Sequence, residues 1–359
     1  MKTYLVTGGA GFIGSNFINY MIEKYEDIFI INLDKLTYAG NLNNLKGVEE
    51  SKNYIFIKGD ITDVELVQLI FNKYSIDYVI NFAAESHVDR SIENPMEFIK
   101  TNVEGTFVLL EAAKRSWMKG DQWEEGKKFI QVSTDEVYGS LGETGYFSEI
   151  SPLDPRSPYS ASKTSADLLV KSYHDTYKMP VNITRCSNNY GPYQFPEKLI
   201  PLIINNCLNG KDLPIYGDGK NIRDWIYVDD HCCAIDLVVN RGRAGQVYNI
   251  GGENEKTNID IVKTIIRILK NLLIDDVRKE GISENQIKYV KDRKGHDRRY
   301  AIDPTKTKNE LGWSAKTSFD EGIIKTVKWY LDNSKWLEEI TSGAYEDYYK
   351  KMYFDRERG

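Results

Sequence analysis

Short apolar, β-prone runs alternate along the first half of the chain with stretches whose apolar residues recur at helical spacing. Thr3–Val6, Ile28–Leu33, Tyr54–Ile57, Tyr78–Phe82 and Phe129–Val132 read as buried strands. Phe17, Ile18, Met21 and Ile22 share one helix face, and further helices are predicted near Asp63–Lys73 and around Phe98–Lys114. Strands separated by helices of this length build a parallel sheet covered on both faces, a doubly wound α/β fold. Residues 115–128 are polar with two tryptophans and read as a surface excursion between helix and strand.

The pattern continues less regularly. Val181–Arg185 is a strand leading to Asn188 and Asn189, Tyr193 to Pro214 a proline-interrupted helix carrying Lys198 and Leu199, and Ile215–Gly219 a strand and turn. Asp229–Val239 reads as a helix, Gln246–Gly251 as a strand, Asn258–Leu273 as a long amphipathic helix and Asp292–Arg298 as a charged loop. The expected organisation is a dinucleotide-binding sheet domain over 1–190 plus about 224–243, and a smaller carboxyl-terminal α/β substrate domain over about 191–223 and 244–340. A terminal extension over 341–359 carries Tyr345, Tyr348, Tyr349, Tyr353 and Phe354 at spacing that suits an extra helix.

Three stretches change this from a fold to a chemistry. The first joins strand to helix: Thr7-Gly8-Gly9-Ala10-Gly11-Phe12-Ile13-Gly14. Gly9, Gly11 and Gly14 fit one dinucleotide spacing, and Gly8, Gly11 and Gly14 a variant of it. Such a loop lets backbone approach a pyrophosphate at a helix N-terminus. Asp34 ends the second strand about twenty residues later, where a carboxylate grips an adenosine ribose and repels a 2′-phosphate, so NAD is favoured over NADP. Lys35 beside it weakens that preference. Asp60 either meets the adenine or caps the next helix, and Phe82-Ala83-Ala84 offers small residues against which a cofactor can lie. His87 reads as a polar loop residue or a catalytic one.

The second is Ser133-Thr134-Asp135-Glu136-Val137-Tyr138-Gly139, at the carboxyl end of a strand where ligands of open sheets bind. It reads as a hydroxyl donor beside an acid and a base, or as an N-cap cluster. The third is Tyr159-Ser160-Ala161-Ser162-Lys163 after Pro158: a phenol and an ammonium four apart on one helix face, where the ammonium is expected to lower the phenol pKa.

Composition narrows the partners. The 359 residues are 41% hydrophobic and 28% charged with a net charge of −6, and no basic stripe suggests nucleic acid. No run reaches transmembrane length, and the chain opens on a strand with no signal peptide, so a cytoplasmic protein with reduced thiols is expected. Cys186, Cys207, Cys232 and Cys233 lack zinc-ligand spacing and no metal is expected. Lys198, Arg223, Arg293 and Arg298 are candidates for the local positive charge a nucleotide diphosphate needs.

With the glycine loop and the Tyr159/Lys163 pair, the chain resembles the extended short-chain dehydrogenase/reductase family. The Thr134-Asp135-Glu136 run is similar to that of its sugar-nucleotide 4,6-dehydratases; their epimerase relatives lack the Asp-Glu pair. Arg185–Pro192, Asn221–Asp230 and Gly295–Arg299 also match, within a resemblance spanning roughly residues 1–321. It implies a Rossmann sheet, bound NAD, a homodimer, and a substrate that is dTDP-glucose or a related nucleotide sugar. It implies catalytic roles for Thr134, Asp135 (acid), Glu136 (base), Tyr159 and Lys163. It places Gly8, Gly11, Phe12, Ile13, Gly14, Asp34, Lys35, Leu36, Thr37, Asp60, Ile61, Phe82, Ala83, Ala84, Ser86, Thr101, Tyr159, Lys163 and Asn189 against the cofactor. Ser86, Thr134, Asn188, Lys198, Leu199, Pro214, Tyr216, Arg223, Asn258, Arg293 and His296 are implied to hold the substrate.

Overall fold

The computed structural model describes residues 1–342. Each apolar run of the first half forms its strand, and the three predicted helices form after the first, third and fourth of them; the second runs on to the third through a loop with one short 3₁₀ turn. β1 (Lys2–Thr7), α1 (Phe12–Lys24), β2 (Ile28–Asp34), β3 (Tyr54–Lys58), α2 (Val64–Lys73) and β4 (Tyr78–Asn81) come first. Then follow α3 (Val88–Glu93), α4 (Pro95–Phe98), a π-helical stretch at Ile99–Glu104 and α5 (Gly105–Trp117). The polar excursion is in part regular: its first residues finish α5, and β5 (Met118–Lys119) pairs antiparallel with β6 (Gln122–Trp123). β7 (Lys128–Thr134) and α6 (Pro158–Tyr177) follow, the latter opened by a Ser157/Ser160 capping box with Pro158 at its first position.

The second half supplies β8 (Val181–Cys186), β9 (Asn188–Tyr190), α7 (Leu199–Leu208), β10 (Leu213–Tyr216), β11 (Ile222–Tyr227), α8 (Val228–Arg241) and β12 (Val247–Ile250). After these come β13 (Glu255–Thr257), α9 (Asn258–Leu272), α10 (Arg278–Gly281), β14 (Ile287–Val290), α11 (Thr305–Leu311), α12 (Phe319–Asp332) and α13 (Ser334–Thr341).

Seven parallel strands run in the order β12-β8-β7-β4-β1-β2-β3. Alternate residues of each strand face opposite layers. Tyr4, Val6 and Ile30 pack with Phe17, Met21, Ile235 and Val238 under α1 and α8, while Leu5, Ile31 and Val79 pack with Ile70, Leu109, Trp117 and Val170 under α2, α5 and α6. Order reverses between β1 and β4, so a crevice opens at their carboxyl ends. A second core, with Ile203, Ile204, Trp225, Ile265, Leu269, Ile323, Val327 and Tyr330, joins α7, α9 and α12 to the strand trio β13-β11-β9 and lies over that crevice.

Two expectations about organisation are corrected. Residues 247–250, assigned by sequence to the substrate domain, form the edge strand of the main sheet beside β8. Residues 188–190, assigned to the first domain, pair instead with β11 in the smaller sheet. Apolar pattern marks a strand but not its partner, and the chain crosses between the two bodies more often than the pattern reveals. The predicted helix over 193–214 is also shorter. It begins at Leu199, because Tyr193 sits at φ 65° and Pro196 interrupts the approach; Pro201 is tolerated inside the first turn. Lys198 is thus the residue preceding the helix. The aromatic extension predicted as a helix lies outside the described residues.

Candidate active site

The crevice is one continuous cavity between the two bodies. Its floor is the glycine turn. Gly8 has φ +68°, and a Cβ there would stand 2.6 Å from the backbone nitrogen of Ala83, so β1 and β4 close together only around glycine. A Cβ on Gly14 would meet the Gly8 carbonyl at 2.3 Å, which holds α1 close to the turn. Gly9 packs on Asn32 and does not line the cavity, whereas Gly8, Gly11 and Gly14 do. The second of the two glycine spacings is therefore the one that faces a ligand. Gly8→Ala is expected to lower dinucleotide affinity more than tenfold and to reduce the melting temperature, read by calorimetric titration and thermal unfolding, because the added methyl meets backbone rather than a movable side chain.

Asp34 closes β2 with its carboxylate held in place: Oδ2 accepts from the Ala10 N–H (2.9 Å) and Oδ1 from the Leu36 N–H (2.7 Å). Lys35 is engaged by Asp60 at 2.9 Å and Glu97 at 3.7 Å. That pairing answers both sequence questions here. Lys35 is neutralised rather than waiting for a 2′-phosphate, and Asp60 does not cap α2, since Asp63 does so through the Leu66 N–H. Thr37, Ile61, Phe82, Ala83, Ala84, Ser86, Thr101 and Asn189 complete this half of the lining. A glycine cradle, a ribose-length carboxylate and small residues behind it fit a dinucleotide.

The chemistry-bearing groups gather at the inner end. Thr134, Asp135, Glu136, Tyr159, Lys163, Asn188 and Lys198 line the same cavity. Thr134 is both a cap and a site residue: its Oγ1 accepts from the Glu136 N–H (3.2 Å) and so fixes the short 3₁₀ turn Asp135–Tyr138 beyond β7. Ser133 Oγ, Asp135 Oδ2 and Asn188 Oδ1 are buried here with no partner among the described residues, an arrangement that a polar ligand would satisfy.

The two carboxylates stand in opposed surroundings. Burial, then Glu136 and Asp224, push Asp135 well above the ordinary carboxyl range. Burial also raises Glu136, but Arg293, Arg223 and Lys198 all act to bring it back down. Of the two, Asp135 is the more readily protonated and Glu136 the more readily ionised. One expectation fails. Tyr159 is raised, not lowered: burial and the charges of Glu136 and Cys186 dominate, and the Thr134 hydroxyl opposes them. The Lys163 ammonium is directed elsewhere, donating to the Val132 carbonyl at 2.7 Å.

Leu36, Leu199, Pro214, Tyr216, Arg223, Asn258, Arg293 and His296 do not line this cavity. Leu36 and Leu199 turn into the two cores, Pro214 is buried in the β10–β14 pair, and Asn258 opens α9. Of the others, Arg223 and Arg293 stand close enough to Glu136 to act on its charge. Arg223 lies 4.2 Å over the Tyr300 ring and donates to the Asp297 carbonyl (2.9 Å); the ring of His296 contacts Tyr216 at 6.1 Å; Arg293 Nε is buried with no partner among the described residues. His87 is a loop residue, just before α3, but a buried one, and burial with Lys198, Arg293 and Arg90 nearby keeps it neutral. Cys186, Gln194, Phe195 and Glu197 line the cavity and were not singled out by sequence. Cys186 ends β8 inside the matching Arg185–Pro192 run, and the other three lie in the segment between β9 and α7, which carries no local motif.

His231 supports the site from behind. It is buried, its Nδ1–H donates to Asn189 Oδ1 (2.8 Å), and burial pulls its pKa down to about 3 from 6.5. Because the folded value is depressed, its contribution to stability is complete above pH 6.5 and is lost as pH falls toward 3, about 5 kcal/mol in all. His231→Gln is expected to flatten the acid side of the stability profile by about one proton over that window; a parallel profile would contradict a buried neutral ring. No cluster of His, Cys, Asp and Glu suited to a metal occurs among the described residues.

Parallel sheet, glycine turn and Tyr-x-x-x-Lys pair define an extended short-chain dehydrogenase/reductase. Residues 5–326 match the model of the GDP-mannose 4,6 dehydratase family, and the chain belongs to that family of sugar-nucleotide dehydratases. It is 53% identical over 347 residues to dTDP-glucose 4,6-dehydratase of Xanthomonas campestris pv. campestris (strain B100), covering 96% of this chain and 97% of that one. The solved structure of dTDP-glucose 4,6-dehydratase from Bacillus anthracis str. Ames in complex with NAD superposes with a TM-score of 0.84 at 50% identity, over 95% of this chain and 100% of that one. UDP-glucose 4-epimerase from Thermotoga maritima, solved with UDP-glucose, shares the fold at 31% identity with a TM-score of 0.81, over 92% and 99%.

Proposed function

We infer that this chain is an NAD-dependent hydro-lyase that converts dTDP-glucose to its 4-keto-6-deoxy product. One observation carries the reading: Asp135 and Glu136, in opposed electrostatic surroundings, share a cavity with Thr134, Tyr159 and a dinucleotide cradle. The relatives' names supply the substrate.

NAD held by the Gly8–Gly14 turn and Asp34 supplies an acceptor for the C4 hydrogen with its electron pair and returns it at C6. The chain moves the protons. The Tyr159 oxygen takes the C4 hydroxyl proton while Thr134 hydrogen-bonds that oxygen. Lys163, fixed on the Val132 carbonyl, would hold the nicotinamide ribose. The C4 ketone acidifies C5–H, and Glu136 removes that proton. Asp135 protonates the departing C6 oxygen, so one water leaves. Glu136 then gives a proton back at C5. Lys198, Arg223 and Arg293 supply positive charge for the diphosphate end, whereas Arg298, the fourth candidate, is paired with Asp218. An epimerase has no use for this acid–base pair, and a pure NAD sensor has none for Tyr159. Incubation with dTDP-glucose is expected to yield a product lighter by one water, identified by mass spectrometry and NMR. An intact hexose epimerised at C4 would overturn the dehydratase reading, and no product from any nucleotide sugar would favour the sensor.

We further propose a homodimer through the outer faces of α4–α5 and α6, neighbouring helices on which Met96, Ile99, Phe107 and Leu168 are exposed. Light scattering is expected to give a dimer, and Phe107→Asp with Leu168→Asp a monomer. Four cysteines without a disulfide, three of them buried, suit the reducing cytoplasm, and no described helix is long and apolar enough to cross a membrane.

A further inference from the structure

The loop after β2 and the segment before α7 meet across the mouth of the cavity. Glu197 is buried and both its oxygens are engaged: the Tyr38 hydroxyl donates to Oε1 (3.0 Å) and Arg90 Nε to Oε2 (3.2 Å). The Arg90 guanidinium also lies 3.7 Å from the centre of the Tyr38 ring, which packs at a steep angle against Phe195 with ring centres 5.5 Å apart. Tyr38 is flanked by Thr37 and Ala39, which line the dinucleotide half of the cavity; Phe195 and Glu197 line it from the opposite wall.

The base of this loop is fixed. Leu36 is held at φ 56° by the bond from its N–H to Asp34. The Asn41 N–H and the Asn44 side chain both donate to the Ala10 carbonyl within the glycine turn (2.9 and 3.0 Å). A rigid base with a tip bonded across the opening is a strap. Charge-assisted bonds to a buried carboxylate are the strong kind, and the stacked guanidinium adds to them.

We propose that Tyr38, Glu197 and Arg90 form a strap that retains the dinucleotide between turnovers. This rests on the reading above, in which the cofactor is restored within each cycle. An enzyme of that kind loses nothing by slow cofactor exchange, whereas a dehydrogenase that must release its reduced cofactor would. The three residues come from both bodies, so the strap closes the cavity by joining its two walls rather than by adding contacts to the ligand.

The test is cofactor retention. Protein loaded with NAD is passed through gel filtration into cofactor-free buffer, and the NAD still bound is released by denaturation and quantified. The wild-type chain is expected to keep most of it. Tyr38→Phe, which removes the hydroxyl that donates to Glu197, and Arg90→Lys, which loses the planar guanidinium, are expected to speed NAD release about tenfold or more. Tyr38→Phe should retain the wild-type rate at saturating NAD. Equal melting temperatures without cofactor exclude unfolding as the cause. Release as slow as wild type in both variants would overturn the strap, as would a lowered rate at saturating NAD with retention unchanged. Absence of any NAD binding by the wild-type chain would instead overturn the functional reading itself.

Discussion

Glu136→Gln is expected to halt the reaction halfway. The variant keeps the size and hydrogen-bonding reach of the side chain but accepts no proton, so oxidation at C4 remains possible while elimination does not. In a single turnover the bound cofactor should become reduced and stay reduced, with no dehydrated product. Hydrogen at C5 should cease to exchange with solvent. Steady-state turnover should fall by about 10²- to 10⁴-fold, the usual worth of a positioned general base. Wild-type activity should decline on the acid side above the ordinary carboxyl range, because burial raises Glu136 despite Arg293, Arg223 and Lys198. Below that point Glu136 is protonated and activity is lost; above it the base is free. Failure to bind NAD would mean that the side chain belongs to the cofactor site, not to the C5 proton.

Tyr159→Phe is expected to stop the reaction one step earlier. Without the phenolic oxygen nothing takes the C4 hydroxyl proton, so neither reduced cofactor nor keto sugar should form, and turnover should fall by a similar about 10²- to 10⁴-fold. Dinucleotide affinity should stay within a few-fold of wild type, since the glycine turn and Asp34 carry it. The contrast between the variants is the informative result: Glu136→Gln traps an oxidised sugar and Tyr159→Phe does not. If Tyr159→Phe also accumulates reduced cofactor, proton removal at C4 belongs to another group.

Much of this site was legible because its parts are local in sequence. Gly8, Gly11 and Gly14 stand between a strand and a helix, Asp34 ends the next strand, and Tyr159 and Lys163 lie one helical turn apart. Spacing alone places such residues relative to one another. What depends on distant partners was not legible. No local pattern says that Lys163 will reach the Val132 carbonyl, or that the β12 edge will join β8 after an excursion through the second body. Nor does any pattern bring residues 38, 90 and 197 together. The opposed environments of Asp135 and Glu136 belong to this class as well, since Asp224, Arg223 and Arg293 arrive from segments more than eighty residues away in the chain.

The placement of β12 bears on how the protein is made. The central sheet lacks its last strand until residue 250 has been synthesised, and α8, which packs against α1, is likewise late. A nascent chain that stops near residue 190 therefore presents β8 as an open, apolar border with unpaired backbone groups, the kind of border that recruits other chains. The main sheet is completed only after β9 to β11 of the second body have been made, so the interval between residues 190 and 250 is the one in which aggregation can compete with folding.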